Sequence, residues 1–74
     1  MFVNSYGELV IVQSAYIYIV DPEVLTVKQT ILFDDPEQIW FCDVIELPNG
    51  DLVTTSNDQI IKGWSRDDDV YVLS

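Results

Sequence analysis

Leu47-Pro48-Asn49-Gly50-Asp51-Leu52-Val53-Thr54-Thr55-Ser56-Asn57-Asp58-Gln59-Ile60-Ile61-Lys62-Gly63-Trp64-Ser65 is the stretch whose reading decides the fold. Asn49-Gly50 supplies residues that tolerate positive φ, as a tight hairpin turn requires. Residues 52–56 are short, β-branched and bounded by turn residues on both sides, which predicts a strand. Asn57-Asp58 is a second turn, and residues 59–65 form the next strand, carrying Trp64. Upstream, residues 39–47 are an apolar run with Asp43 and Glu46 inside it. Downstream, residues 66–69 are a charged link to a last strand over residues 70–73.

The first half reads the same way. Leu9-Val10-Ile11-Val12 and Tyr16-Ile17-Tyr18-Ile19-Val20 are β-branched and aromatic runs separated by Gln13-Ser14-Ala15. Asp21-Pro22-Glu23 breaks the chain, because a proline drives the residue before it away from helical angles. Residues 24–33 then alternate mostly with period two, the pattern of a half-buried strand. Asp34-Asp35-Pro36-Glu37-Gln38 is the second break. No window of eleven residues has helical periodicity.

Gly7-Glu8-Leu9-Val10 resembles Gly50-Asp51-Leu52-Val53 at an offset of 43 residues. With one residue of slack at the Ser14-Ala15 turn, residues 16–21 fall on residues 60–65. Four short strands repeating at this period are what β-propeller blades look like in sequence. The expectation is an all-β chain of about two four-stranded antiparallel blades. Residues 1–33 would be a partial first blade and residues 34–74 the second. A small β-sandwich or roll built of two similar hairpins is the alternative.

Residues 47–65 resemble the core of a WD-repeat blade. In that family Asn-Gly or Asp-Gly joins the first two strands, a small hydroxyl residue ends the second, an aspartate sits in the following turn, and a tryptophan lies on the third. Gly50, Ser56, Asp58 and Trp64 match those places. The resemblance implies a polar chain in which the aspartate accepts backbone N–H groups while hydroxyl and indole extend the network. Such chains specify one packing because buried polar groups must be paired. The usual Gly-His before the first strand is missing. The first blade has Ser14-Ala15 where an aspartate is expected and Val20 where the tryptophan is expected.

Thr30-Ile31, Pro36, Ile39-Trp40, Asp43-Val44 and residues 47–58 are similar to a blade of the propeller in the phospholipase A-2-activating protein family. The stretch from Trp40 to Asn49 is slightly longer than that pattern. The resemblance covers about one and a half blades. It implies a fragment of a propeller that binds ubiquitin and acts in ubiquitin-dependent protein degradation, in the cytoplasm and also the nucleus.

Composition narrows the field further. The 74 residues carry 13 Asp+Glu against 3 Lys+Arg and no histidine, a formal charge of −10. Only Lys28, Lys62 and Arg66 could meet phosphates, which argues against nucleic acid, and an anionic membrane surface would repel the chain. With 49% hydrophobic residues the chain is globular rather than disordered. The apolar stretch from Leu9 to Val20 is too short to span a bilayer as a helix, which needs about 20 residues. No basic region precedes an apolar run at the N-terminus, so no signal peptide is expected.

Catalysis and cofactors are not expected. Cys42 has no histidine to activate it and reads as a buried strand cysteine. Asp67-Asp68-Asp69 lacks the alternating ligands, glycine and distal glutamate of a calcium loop and reads as a solvated link. A protein partner is the better expectation. In a WD-repeat blade, Asp34, Asp35, Glu37, Gln38 and Asn57 would share one face of the ring, with Trp40 near its rim. Acidic loops beside an aromatic suit a partner with a basic-rimmed apolar patch, such as ubiquitin. Trp40 packed in the core is the plainer expectation for a large aromatic on a strand. Two blades also leave two apolar faces bare, so the chain is expected to be a homo-oligomer or part of a larger propeller. A self-associating assembly protein with no ubiquitin role is the alternative function.

Overall fold

The computed structural model describes residues 1–32 and 38–74. It is all-β: two four-stranded antiparallel sheets and, among the described residues, no helix. The first sheet is β1 (Phe2–Val3), β2 (Leu9–Gln13), β3 (Tyr16–Asp21) and β4 (Thr26–Leu32), in chain order. The second is β5 (Phe41–Glu46), β6 (Leu52–Ser56), β7 (Ile61–Asp67) and β8 (Val70–Leu73), also in chain order. The first sheet therefore has its fourth strand, although β1 is only two residues long.

Three local details depart from the sequence reading. Residues 24–33 do not all extend: β4 begins at Thr26, because Leu25 takes a φ of 55° in the preceding turn and is exposed. β7 is shifted from residues 59–65: Gln59, at a φ of 67°, stays in the preceding turn, the strand starts at Ile61, and Arg66 and Asp67 join it, so the charged link shrinks to Asp68-Asp69. Cys42 is exposed, not buried. It is the extra residue of a bulge, since Phe41 pairs with Ser56 but Asp43 already pairs with Thr55. A bulge sets two residues against one and resets the alternation. Phe41 and Val44 are therefore both buried, and Ile45 faces out.

One face of each sheet builds a shared core. Val10, Ile17, Ile19 and Ile31 meet Phe41, Val44, Leu52 and Tyr71, with Ala15 enclosed at one end. Polar ties lock the two sheets around this core. The Glu8 carboxylate accepts both guanidinium nitrogens of Arg66 at 2.6 and 3.1 Å, Lys28 Nζ at 2.5 Å and Asn4 Nδ2 at 2.9 Å. Asn4 also donates to Tyr71 Oη at 2.8 Å, and its own oxygen accepts the Glu8 and Tyr6 N–H groups. The Arg66 guanidinium stacks 4.1 Å from the Tyr6 ring centre and 4.9 Å from that of Tyr71. Ser5 donates through its N–H and hydroxyl to Glu46, and the Gln29 side-chain amide pairs with both backbone groups of Tyr71 at 2.7 and 2.8 Å.

Arg66, with Asn4 and Lys28 assisting, holds the buried Glu8 carboxyl at a pKa of about 2, against 4.5 for the free side chain. A carboxylate whose pKa is depressed by folding contributes stability above its unfolded pKa and loses it as pH falls through the folded value. Thermal melts should therefore show stability declining from pH 4.5 toward pH 2, with the decline much weaker in Glu8→Gln. At pH 7 that variant, which leaves Arg66 without its counter-charge, should lose about 3 kcal/mol in chemical denaturation. An unchanged acid limb in Glu8→Gln would show that other carboxylates set it.

Candidate functional site

Loops from both sheets meet at the end of the stack away from Glu8. The β2–β3 turn contributes Ser14, at a φ of 55°, and its carbonyl accepts the Phe41 N–H at 2.9 Å. That bond ties the entry of β5 to the first sheet. The β6–β7 turn contributes Asn57, which fastens residues 38–40. Its Oδ1 accepts the Trp40 N–H at 2.8 Å, its Nδ2 donates to the Gln38 carbonyl at 3.1 Å, and its backbone N–H donates to the Trp40 carbonyl at 3.1 Å. A short segment with no ladder of its own is thus held by one side chain that reproduces strand-like pairing.

The outcome is a half-exposed indole carried on a fixed stretch of backbone. Trp40 is 48% exposed, so it is not a core residue, and Gln38 and Asn57 beside it are exposed. The reason is Phe41, the next residue, which takes the inward position over Ser56 and leaves Trp40 outside. Asp34, Asp35 and Glu37, the acidic residues expected on this face, lie outside the described residues. Among the expected residues, the structure brings together Gln38, Trp40 and Asn57, with Asp58 in the same turn.

The expected polar chain is divided in two. Ser56 Oγ donates to the Asp58 carboxylate, which also accepts the Ile60 N–H at 3.1 Å. The Ser56 hydroxyl and the Ile60 N–H hold the Asp58 carboxyl below the usual carboxylate range. The Trp64 indole does not join this group; its N–H donates to Thr54 Oγ1 at 3.0 Å. Register explains the difference. Trp64 sits opposite Leu52, so the nearest hydroxyl on the same face is Thr54, one pleat repeat along, with Ser56 two repeats away. Thr54 is 1% exposed and would be a costly orphan without the indole.

Gly50 has a φ of 92° in the hairpin between β5 and β6, and a side chain there would meet Tyr6 Oη at 2.7 Å. The glycine thus serves the turn and also admits the β1–β2 loop of the other sheet. At the Glu8 end, an open groove of about 270 Å³ is walled by Tyr6, Glu8, Asp21, Glu23 and Lys28. Its buried carboxylate is committed to Arg66 and holds no proton at neutral pH. Among the described residues, no group of three His, Cys, Asp or Glu is placed to hold a metal ion. No described helix is long and apolar enough to cross a membrane.

No protein-family model, curated protein or solved structure matches the chain.

Gly50→Ala should destabilise the fold by about 1–3 kcal/mol, from the left-handed backbone and the encounter with Tyr6. Combining it with Tyr6→Phe, which removes the nearest atom, should cost less than the sum of the two single changes. Additive losses in denaturant titrations would show that the close approach is not what Gly50 relieves.

Proposed function

We propose that this chain is a non-catalytic protein-interaction module, a pair of WD-repeat-like blades that docks a protein partner at the end carrying Trp40. The observation that carries the reading is a half-exposed Trp40 whose backbone N–H and C=O are both bonded to Asn57, with a third Asn57 bond on the Gln38 carbonyl. A large aromatic carried on backbone that is already ordered leaves less of the segment to be ordered on binding, which suits an interface anchor. The partner proposed is ubiquitin, in ubiquitin-dependent protein turnover. That choice rests on the similarity of residues 47–58 to the propeller family described above and on the net charge of −10, which suits a basic-rimmed apolar patch.

Calorimetric titration with ubiquitin tests this reading. Saturable binding is expected, with Trp40→Ala weakening it at least about tenfold, as for a central aromatic anchor, while thermal stability holds. Trp64→Ala, which leaves Thr54 unpaired and disrupts the fold, should bind nothing. No binding by the native chain, or equal binding by Trp40→Ala, overturns the proposal, and retention by the unfolded Trp64→Ala marks mere adhesion.

A further inference from the structure

The two sheets do not meet through equivalent faces. In the repeat, Leu9-Val10 corresponds to Leu52-Val53, and Ile17 to Ile61. In the first sheet Val10 and Ile17 face the core, both fully buried, and Leu9 faces out. In the second sheet the choice is reversed: Leu52 is buried, while Val53 faces out and Ile61 is 72% exposed. Likewise Val20 points away from the shared core and its counterpart Trp64 points into it. Contact within the chain therefore joins the Val10-type face of one repeat to the Leu52-type face of the next. One unused face of each type is left over, on opposite sides of the molecule.

Those two unused faces are apolar and nearly free of charge. The strand register places Val3, Leu9, Ile11, Tyr18, Val27 and Leu32 on the outer face of the first sheet, with no Asp, Glu, Lys or Arg among the outward strand positions. The outer face of the second sheet carries Ile45, Val53, Ile61, Val70 and Val72, with Asp43 and Asp67 at its margins. Val3, Val27, Leu32, Ile45, Ile61 and Val72 are all more than 40% exposed. In a chain of charge −10, faces this free of acid are not solvent-facing by composition.

We infer that a second copy of this chain covers them. The outer face of the first sheet in one copy stacks on the outer face of the second sheet in the next, repeating the contact already made inside each chain. The contact is heterologous, so it ends only by closing into a ring. Rings of four to eight such sheets correspond to two to four copies. Among the described residues, Asp43 and Asp67 are the acidic side chains at outward strand positions, and both lie at the margin of their face, where like charges of neighbouring copies remain in water.

The test uses two exposed positions, one per face: Leu32→Lys and Ile61→Lys, with circular dichroism confirming that each still folds. The expected result is a native chain with a discrete mass of two to four copies by light scattering, and two variants that are each monomeric. Mixed one to one, the variants should give a dimer, because only one intact face remains on each partner. A dimer formed by either variant alone overturns the inference, since it means a face pairs with its own kind. A native chain that is monomeric at 100 μM, or a mixture that stays monomeric, overturns it as well. If the native chain forms open, polydisperse stacks, the mixture still decides.

Discussion

The packing of the two sheets turns on a single buried carboxylate. Glu8 sits at the foot of β2 with almost no exposure, and an isolated charge there would cost several kcal/mol. It is tolerated because Arg66, Lys28 and Asn4 converge on it, and Arg66 can do so only from β7 of the other sheet. The pairing therefore fixes how one sheet lies on the other, which a contact between aliphatic faces alone would leave free to slide. Tyr6 and Tyr71 flank the guanidinium and restrict it further, and burial pushes the Tyr71 phenol up in pKa, keeping it neutral. No buried side-chain nitrogen or oxygen among the described residues lacks a hydrogen-bond partner.

The two ends of the stack are built differently, and that difference gives the molecule its division of labour. The Glu8 end is held by side chains crossing from sheet to sheet, through Glu8, Asn4 and Ser5. The Trp40 end is held mainly through backbone groups, with the Ser14 carbonyl and the Asn57 amide acting on a segment that has no strand partner. The first arrangement resists shear between the sheets. The second leaves an aromatic residue outside the core while its backbone stays tied to the stack.

Strand positions were legible in the sequence because they rest on local rules. Asn49-Gly50 announces its hairpin, and the β-branched runs between turn residues mark β2, β3, β6 and β8. The face each residue chooses was less legible wherever the alternation is reset. Cys42 reads as a buried strand residue until the bulge is known, and the same bulge exchanges the roles of Val44 and Ile45. The strand that carries Trp64 is legible in the sequence, but its partner depends on register, which selects Thr54 over Ser56. Glu8 and Arg66 were invisible as a pair. They lie 58 residues apart, and in sequence Glu8 is only one member of the repeat match while Arg66 reads as part of a charged link. A long-range ion pair leaves no periodic trace in either segment. Trp40 illustrates the converse: its residue type suggested core, and the inward turn of its neighbour Phe41 put it at the surface.

The Gln29 amide has an effect on the outline of the molecule. β8 is an edge strand, and an edge offers its free N–H and C=O groups to any extended chain. Here the Gln29 side chain occupies both backbone groups of Tyr71, at the middle of that edge, from the opposite sheet. A ninth strand laid against β8 would have to displace it. Lateral extension of the second sheet past β8, the direction in which fibrils elongate, is thereby obstructed by a single neutral side chain, while the outer face of each sheet is left clear.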